Sequence, residues 1–238
     1  TKMGVLACMR TVFYIFGADF LRGTWVQTLW MGLALVTIFM GSMMAYKEPL
    51  MKRRFAYSTV SQVSYILLGL STMTVIGITG ALLQIVFHAV AKTALFLMSG
   101  AVIYETGKVR IRELGGIGRQ MPAVMTGFTL ASLSLVGIPP LAGFVSKEWL
   151  AHGAMEANVM GLYWAGPLIL LISAVLTAGY LLFISVDAWK QTEKTVKKQK
   201  NRKLSIPVFV LGVLTVLLGI FPGRLIGITE QIAHMLIG

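Results

Sequence analysis

Residues 82–99 read LLQIVFHAVAKTALFLMS, eighteen residues in which His88 and Lys92 are the only titratable side chains. A spacing of four puts both on one face of a helix, with Cβ atoms roughly 5–6 Å apart, and Gln84 continues that face one turn earlier. The stretch sits inside a longer run, Phe55 to Tyr104, in which Lys92 is the only formal charge. A lysine at the centre of a membrane helix costs about 2.5–3.5 kcal/mol on insertion scales, so its presence needs a reason. An amine in apolar surroundings is penalised for carrying its proton, and an imidazole exchanges one near neutrality. The pair could therefore pass a proton through intervening water. The structural alternative is a histidine hydrogen-bonded between helices, with Lys92 reaching for a headgroup. Tyr104 is twelve residues further on, roughly 18 Å at the helical rise, which is too far for easy snorkelling.

The rest of the chain has the same character. Of 238 residues, 56% are hydrophobic and 13% charged, with a mean hydropathy of +0.79; a soluble domain carries about 25% charged residues. The net charge of +12 does not indicate nucleic acid, because these charges punctuate apolar runs instead of gathering on one wet face. The implied partner is a lipid bilayer. Counting uncharged runs against the roughly 20 residues a span requires predicts an all-α polytopic membrane helix bundle. It comprises about six full transmembrane helices: 23–46, two within 55–104 divided near 71–80, 120–146, 157–186 and 204–223. Residues 3–18, interrupted by Arg10, add one partial helix. Thr1-Lys2-Met3 opens directly into an apolar stretch with no signal-peptide layout, so the chain reads as the C-terminal part of something longer.

Fifteen of the 21 basic residues fall in alternate loops: Lys47, Lys52, Arg53 and Arg54; Lys108, Arg110, Arg112 and Arg119; and seven between Lys190 and Lys203. Basic loops face the cytoplasm, which predicts a multi-pass protein of the cytoplasmic membrane with its C-terminus outside. The run over 190–204 reads as an ordinary basic loop in preference to a dedicated acidic-lipid patch.

A second constellation is LVGIPPLAGF at 135–144, followed by Ser146-Lys147-Glu148. Consecutive prolines remove two backbone donors and clash with the preceding turn, so a helix entering near Met121 must break at Gly137, Pro139 and Pro140. Broken backbone at membrane depth is tolerated where it is buried in protein or lines a wet cavity. Lys147, just beyond the break, could hold a proton there. It could equally form an interfacial ion pair with Glu148 in a loop between two shorter helices, and the residues alone do not choose. Ser58, Thr59, Ser61, Gln62 and Ser64 make one helix rich in hydroxyls and amide, suited to interhelical hydrogen bonds. Cys8, His152 and His234 show no ligand spacing, and no phosphate loop or nucleophile motif is present. With a single cysteine, no cofactor is expected in this chain, and any electron chemistry belongs to a partner.

Taken together, TKMGV at 1–5 with Arg10, MKRRFAYSTVSQ at 51–62, HAVAKTALF at 88–96, ELGG at 113–116 and 135–147 resemble the antiporter-like subunits of complex I, the membrane-bound hydrogenases and the Mrp cation/proton antiporters. Such subunits have fourteen transmembrane helices in two inverted five-helix repeats, and the chain resembles the portion from the eighth helix onward. On that resemblance, 1–223 is the C-terminal part of a proton antiporter-like domain, its second repeat spanning about 25–190. A basic loop over 190–204 and a C-terminal tail over 224–238 complete the chain.

The resemblance implies a proton path of membrane-centred charges. Lys2 is similar to the lysine of the eighth helix, His88 and Lys92 to the basic pair of the eleventh, and Lys147 to the lysine or glutamate after the break in the twelfth. The fifth-helix glutamate and seventh-helix lysine have no counterpart here. The implied function is proton translocation within a redox-driven complex, either quinone-reducing or hydrogenase-like, beside other membrane subunits and iron–sulfur or flavin subunits. Two alternatives remain: a subunit of a multisubunit Na⁺/H⁺ antiporter, and a non-conducting membrane scaffold.

Overall fold

The computed structural model describes residues 1–161, 163–190 and 202–237. Its helices are α1 (Lys2–Arg10), α2 (Ala18–Leu21), α3 (Trp25–Lys47), α4 (Met51–Ser71), α5 (Val75–Thr106), α6 (Ile117–Gln120), α7 (Pro122–Val136), α8 (Ala142–Ala157), α9 (Ala165–Trp189), α10 (Ser205–Ile220) and α11 (Gly223–Ile237). A π-helical turn, Thr11–Phe16, continues α1. Among the described residues the only β-type pairing is an isolated bridge between Leu50 and Arg110.

Local chemistry explains the boundaries. Thr24 and Thr74 cap α3 and α5 by accepting the amides of Gln27 and Gly77. Between α4 and α5 the exposed carbonyls are taken up by side chains from elsewhere: the Gln27 amide donates to Ser71 O at 2.9 Å and Thr72 O at 3.2 Å, and Arg22 donates to Met73 O at 3.0 Å. Pro122 starts α7, where its missing N–H costs nothing.

The bundle is apolar outside and keeps a set of polar side chains within its apolar core. Leu33, Val36, Leu171, Val175 and Phe183 are exposed, whereas Ser42, Ser58, Ser61, Gln62, Gln84, His88, Lys92, Ser173 and Thr177 are buried. That distribution suits a lipid surround and not water. By length and composition α3, α5 and α9, of 23, 32 and 25 residues, can each cross a bilayer, and α10 with α11 would form a fourth span bent by 72°.

The expected runs map onto α3, α4, α5, the α7–α8 pair, α9 and α10, with three adjustments. α8 runs on through Lys147, Glu148, His152 and Glu156 to Ala157, and α9 accordingly begins at Ala165, not 157. Counting uncharged residues ends a helix at its first charge, whereas backbone hydrogen bonding does not. α4 begins at Met51 and so carries Lys52, Arg53 and Arg54 in its first turn. The stretch read as a tail from 224 is helical through Ile237.

The first two basic stretches lie together beside the end of α9. Met51 N donates to Val109 O and Ile111 N to Pro49 O, each at 3.1 Å, and Gly116 N donates to Asp187 O at 3.2 Å. The connections 48–50 and 107–116 and the end of α9 therefore share one end of the bundle. Within the basic loop 190–204, residues 191–201 lie outside the described residues.

Candidate functional site

The break falls where the prolines require it: α7 ends at Val136, Gly137 turns the chain with φ 89°, and α8 starts at Ala142. In a continued helix the carbonyls of Leu135 and Val136 would accept the amides of residues 139 and 140, but both are prolines and have none. The Lys147 ammonium supplies the missing donors, with Nζ 2.7 Å from both Leu135 O and Val136 O. It also lies 5.4 Å from the centroid of the Tyr65 ring, within cation–π range. Lys147 therefore points inward onto the broken helix, while Glu148 beside it is exposed. Lys147 is thus bonded to the break and is not ion-paired with Glu148. Gly137 is needed twice, since a Cβ there would meet Lys147 Cδ at 2.9 Å and the φ value disfavours any side chain.

On α5, Gln84, His88 and Lys92 are all buried on the face turned into the bundle. Lys92 is 4% exposed and donates to Phe55 O at 3.0 Å, with Nζ 6.0 Å from the Phe55 ring centroid. It does not snorkel. His88 is 1% exposed, and neither ring nitrogen has a hydrogen-bond partner among the described residues.

His88 borders two spaces. One is an open cleft of about 610 Å³ between α1, α4 and α5, lined by Lys2, Thr59, His88, Lys92 and Thr93 among others. The other is a constricted gap, too tight for a water molecule, lined by Gln62, Gln84, His88, Ser134, Gly143 and Lys147. His88 thus lines both spaces, the cleft together with Lys2 and Lys92 and the gap together with Lys147. No acidic side chain lines either space among the described residues.

Neutral polar groups frame these amines. Ser146 donates to Gln84 Oε1 at 2.6 Å, and Gln84 Nε2 donates to Gln62 Oε1 at 2.8 Å, which joins α8, α5 and α4 across the gap. Beyond Tyr65 lies a hydroxyl cluster: the Tyr65 OH donates to Ser173 Oγ at 2.8 Å, and Ser42 Oγ is 2.6 Å from Ser173 Oγ and 2.8 Å from Ser61 Oγ. One turn away, the Tyr180 OH donates to Ser58 Oγ at 2.6 Å. The hydroxyl-rich helix thus uses Ser58 and Ser61 between helices, whereas Thr59 and Ser64 bond back to Phe55 O and Val60 O. Tyr65, Ser146, Ser173 and Tyr180 were not legible as site residues. The available signal was hydroxyls repeating at about one turn on both α4 and α9.

The fold and the site together define a multi-pass membrane protein that holds several basic side chains inside its bundle, in spaces lined by no acid among the described residues, beside a helix broken near its centre. The chain belongs to the NADH:quinone oxidoreductase/Mrp antiporter transmembrane family, whose profile matches residues 1–177. It is 34% identical to the NADH-quinone oxidoreductase subunit N of Desulforudis audaxviator, over 98% of this chain and 48% of that protein. It is 32% identical to a Na⁺/H⁺ antiporter subunit of Alkalihalophilus pseudofirmus, over 100% of this chain and 47% of that one. Among solved structures, a chain of the Mrp complex from Dietzia sp. DQ12-45-1b has the same fold with a TM-score of 0.90 at 24% identity, covering 100% of this chain and 51% of its own. A chain of respiratory complex I from Thermus thermophilus with bound NADH matches with a TM-score of 0.84 at 26% identity, covering 100% and 50%. The chain spans about half the length of the curated relatives it matches.

Proposed function

We propose that this chain carries protons within the membrane as part of an antiporter-like subunit, along the row Lys2, Lys92, His88 and Lys147. The observation that carries the reading is the position of His88, whose unpartnered imidazole separates the cleft holding Lys2 and Lys92 from the gap holding Lys147. An imidazole can accept a proton on one nitrogen and release it from the other. The open cleft has room for water on one side of it. On the other side, transfer requires the gap to widen or the side chains to swing, so passage is gated. Lys147 resting on two carbonyls is a defined end station: charged, it is held by the carbonyls of the broken helix; neutral, it still has hydrogens to donate to them.

In this reading the parent assembly is a redox-driven complex with neighbouring membrane subunits and iron–sulfur or flavin subunits elsewhere, supported by the identity to the NADH-quinone oxidoreductase relative. The basic loops face the cytoplasm and the C-terminus the outside, in keeping with the meeting of the first two of those loops beside the end of α9. The identity to the Na⁺/H⁺ antiporter relative over the whole chain favours a second reading, a secondary cation/proton antiporter without redox partners.

The test is to purify the native complex, record flavin and iron–sulfur absorption, and reconstitute it in proteoliposomes with a pH dye. His88→Ala, Lys92→Met and Lys147→Met are each expected to lower proton flux at least tenfold while the complex assembles. Assembled variants with undiminished flux would sink the proton-path reading and leave a scaffold. Chromophores would identify the redox assembly, and a colourless complex the secondary antiporter.

A further inference from the structure

The end of the bundle that carries the basic loops holds a pocket that the proton row does not use. The loop joining α3 to α4 and the loop following α5 are clamped by the Leu50–Arg110 bridge and its two 3.1 Å hydrogen bonds. Between them lies a cavity of about 580 Å³ lined by Glu48, Pro49, Leu50, Arg53, Arg110 and Arg112. The nearby acids each accept backbone amides. Glu48 Oε1 accepts the Leu50 amide at 3.1 Å, and Glu113 Oε2 accepts the amides of Val109 and Arg110 at 3.3 and 3.2 Å.

Arg53, Arg110 and Arg112 are exposed, and none forms an ion pair with a described residue. Arg54, next in sequence, behaves differently: its guanidinium turns inward onto the carbonyls of Glu48, Tyr46 and Tyr180. Three arginines thus line one cavity with a single carboxylate, Glu48, and none of them is ion-paired to a described residue; forked guanidiniums match the oxygens of a phosphate.

Depth selects the source of that phosphate. Tyr46 and Tyr104, in the last turns of α3 and α5, are 51% and 73% exposed on either side of the loops. Exposed tyrosines at helix ends mark the headgroup layer. Val109, on the clamped loop, is exposed as well, an apolar edge beside the charged cavity.

We propose that the Arg53–Arg110–Arg112 pocket binds the phosphate of an anionic membrane lipid, anchoring this end of the bundle in the headgroup layer. The lipid phosphodiester would sit between the guanidiniums and its acyl chains would descend beside the exposed side chains of α3 and α5.

The proposal is tested on the whole complex, delipidated in mild detergent and then exchanged into vesicles of phosphatidylcholine with or without phosphatidylglycerol, with lipid retention read by native mass spectrometry. Retention of phosphatidylglycerol over phosphatidylcholine is expected, weakened about fivefold by each of Arg53→Ala, Arg110→Ala and Arg112→Ala. Because all three side chains are exposed, these variants keep the fold. Lys52→Ala, exposed at the same end but outside the pocket, is expected to change nothing, as is added inorganic phosphate. Equal losses with Lys52→Ala would reduce the effect to diffuse surface charge and overturn the pocket. Displacement by inorganic phosphate would make it a soluble-anion site. Release of a neighbouring subunit, with lipid retention unchanged, would replace the lipid with an acidic protein partner.

Discussion

Replacing Lys147 and Lys92 in turn by methionine, which keeps an unbranched chain of nearly the same length and removes the amine, is expected to have unequal effects on stability. Lys147 is the donor to two carbonyls, Leu135 O and Val136 O, whose normal helical partners are prolines. Lys147→Met orphans both. A buried acceptor left unmade costs about 1–3 kcal/mol. Because both bonds are only part-buried, the lower half of the range applies, roughly 3 kcal/mol for the pair. Lys92 donates to Phe55 O, which keeps a second side-chain donor in Thr59 Oγ1 at 2.9 Å. Lys92→Met therefore orphans nothing, and its cost is expected to stay within about 1 kcal/mol. At roughly 2–4 °C per kcal/mol for a chain of this size, thermal unfolding of the purified complex in detergent should fall by about 6–12 °C for Lys147→Met and by no more than about 4 °C for Lys92→Met. Adding Pro139→Ala and Pro140→Ala to Lys147→Met restores backbone donors and should recover part of the loss without restoring proton flux. Equal destabilisation by the two methionine variants, or none by Lys147→Met, would show that the carbonyls at the break are not what holds the amine.

Three further outcomes follow from single contacts. Gly137→Ala places a Cβ 2.9 Å from Lys147 Cδ at a φ of 89°, and is expected to cost about 1–3 kcal/mol and to lower proton flux together with thermal stability. Gly41→Ala puts a Cβ 2.8 Å from Ser61 N, prising α3 from α4; a loss of about 1–3 kcal/mol is expected in thermal unfolding, whereas Gly4→Ala, with open space around it, should be silent. Gln84→Leu cuts the link from Ser146 to Gln62; it should cost about 1–3 kcal/mol and reduce flux in proteoliposomes, and unchanged flux would remove the amide bridge from the transfer route.

The break at 137–141 could be read from residue types because proline chemistry is local: the missing amides and the steric clash act on the preceding turn whatever the rest of the chain does. The shared face of Gln84, His88 and Lys92 is equally local, a consequence of helical repeat alone. The extent of α8 was not legible, because hydropathy registers the charges at Lys147, Glu148 and Glu156 and not the backbone bonding that continues through them. Nor could residue order choose between Glu148 and the carbonyls as the partner of Lys147. The choice depends on which way one helix face turns, and the packing of α8 against α5 decides that. The hydroxyl cluster joins Ser42, Ser61 and Tyr65 to Ser173, more than a hundred residues apart at its widest, and no periodicity within a single segment encodes such a pairing.

Residue types alone were enough to place a lipid-embedded helical bundle and the point where one helix must break, and to single out the amines whose burial is costly. All of these follow from transfer energies and backbone chemistry acting over a turn or two. Packing across the bundle is what puts His88 on both the cleft of Lys2 and Lys92 and the gap of Lys147, sets the carbonyls behind the prolines against Lys147, and brings Arg53 of α4 to the pocket of Arg110 and Arg112. Those arrangements depend on which helix faces come together, and that is set by close packing across the bundle between residues distant in the chain.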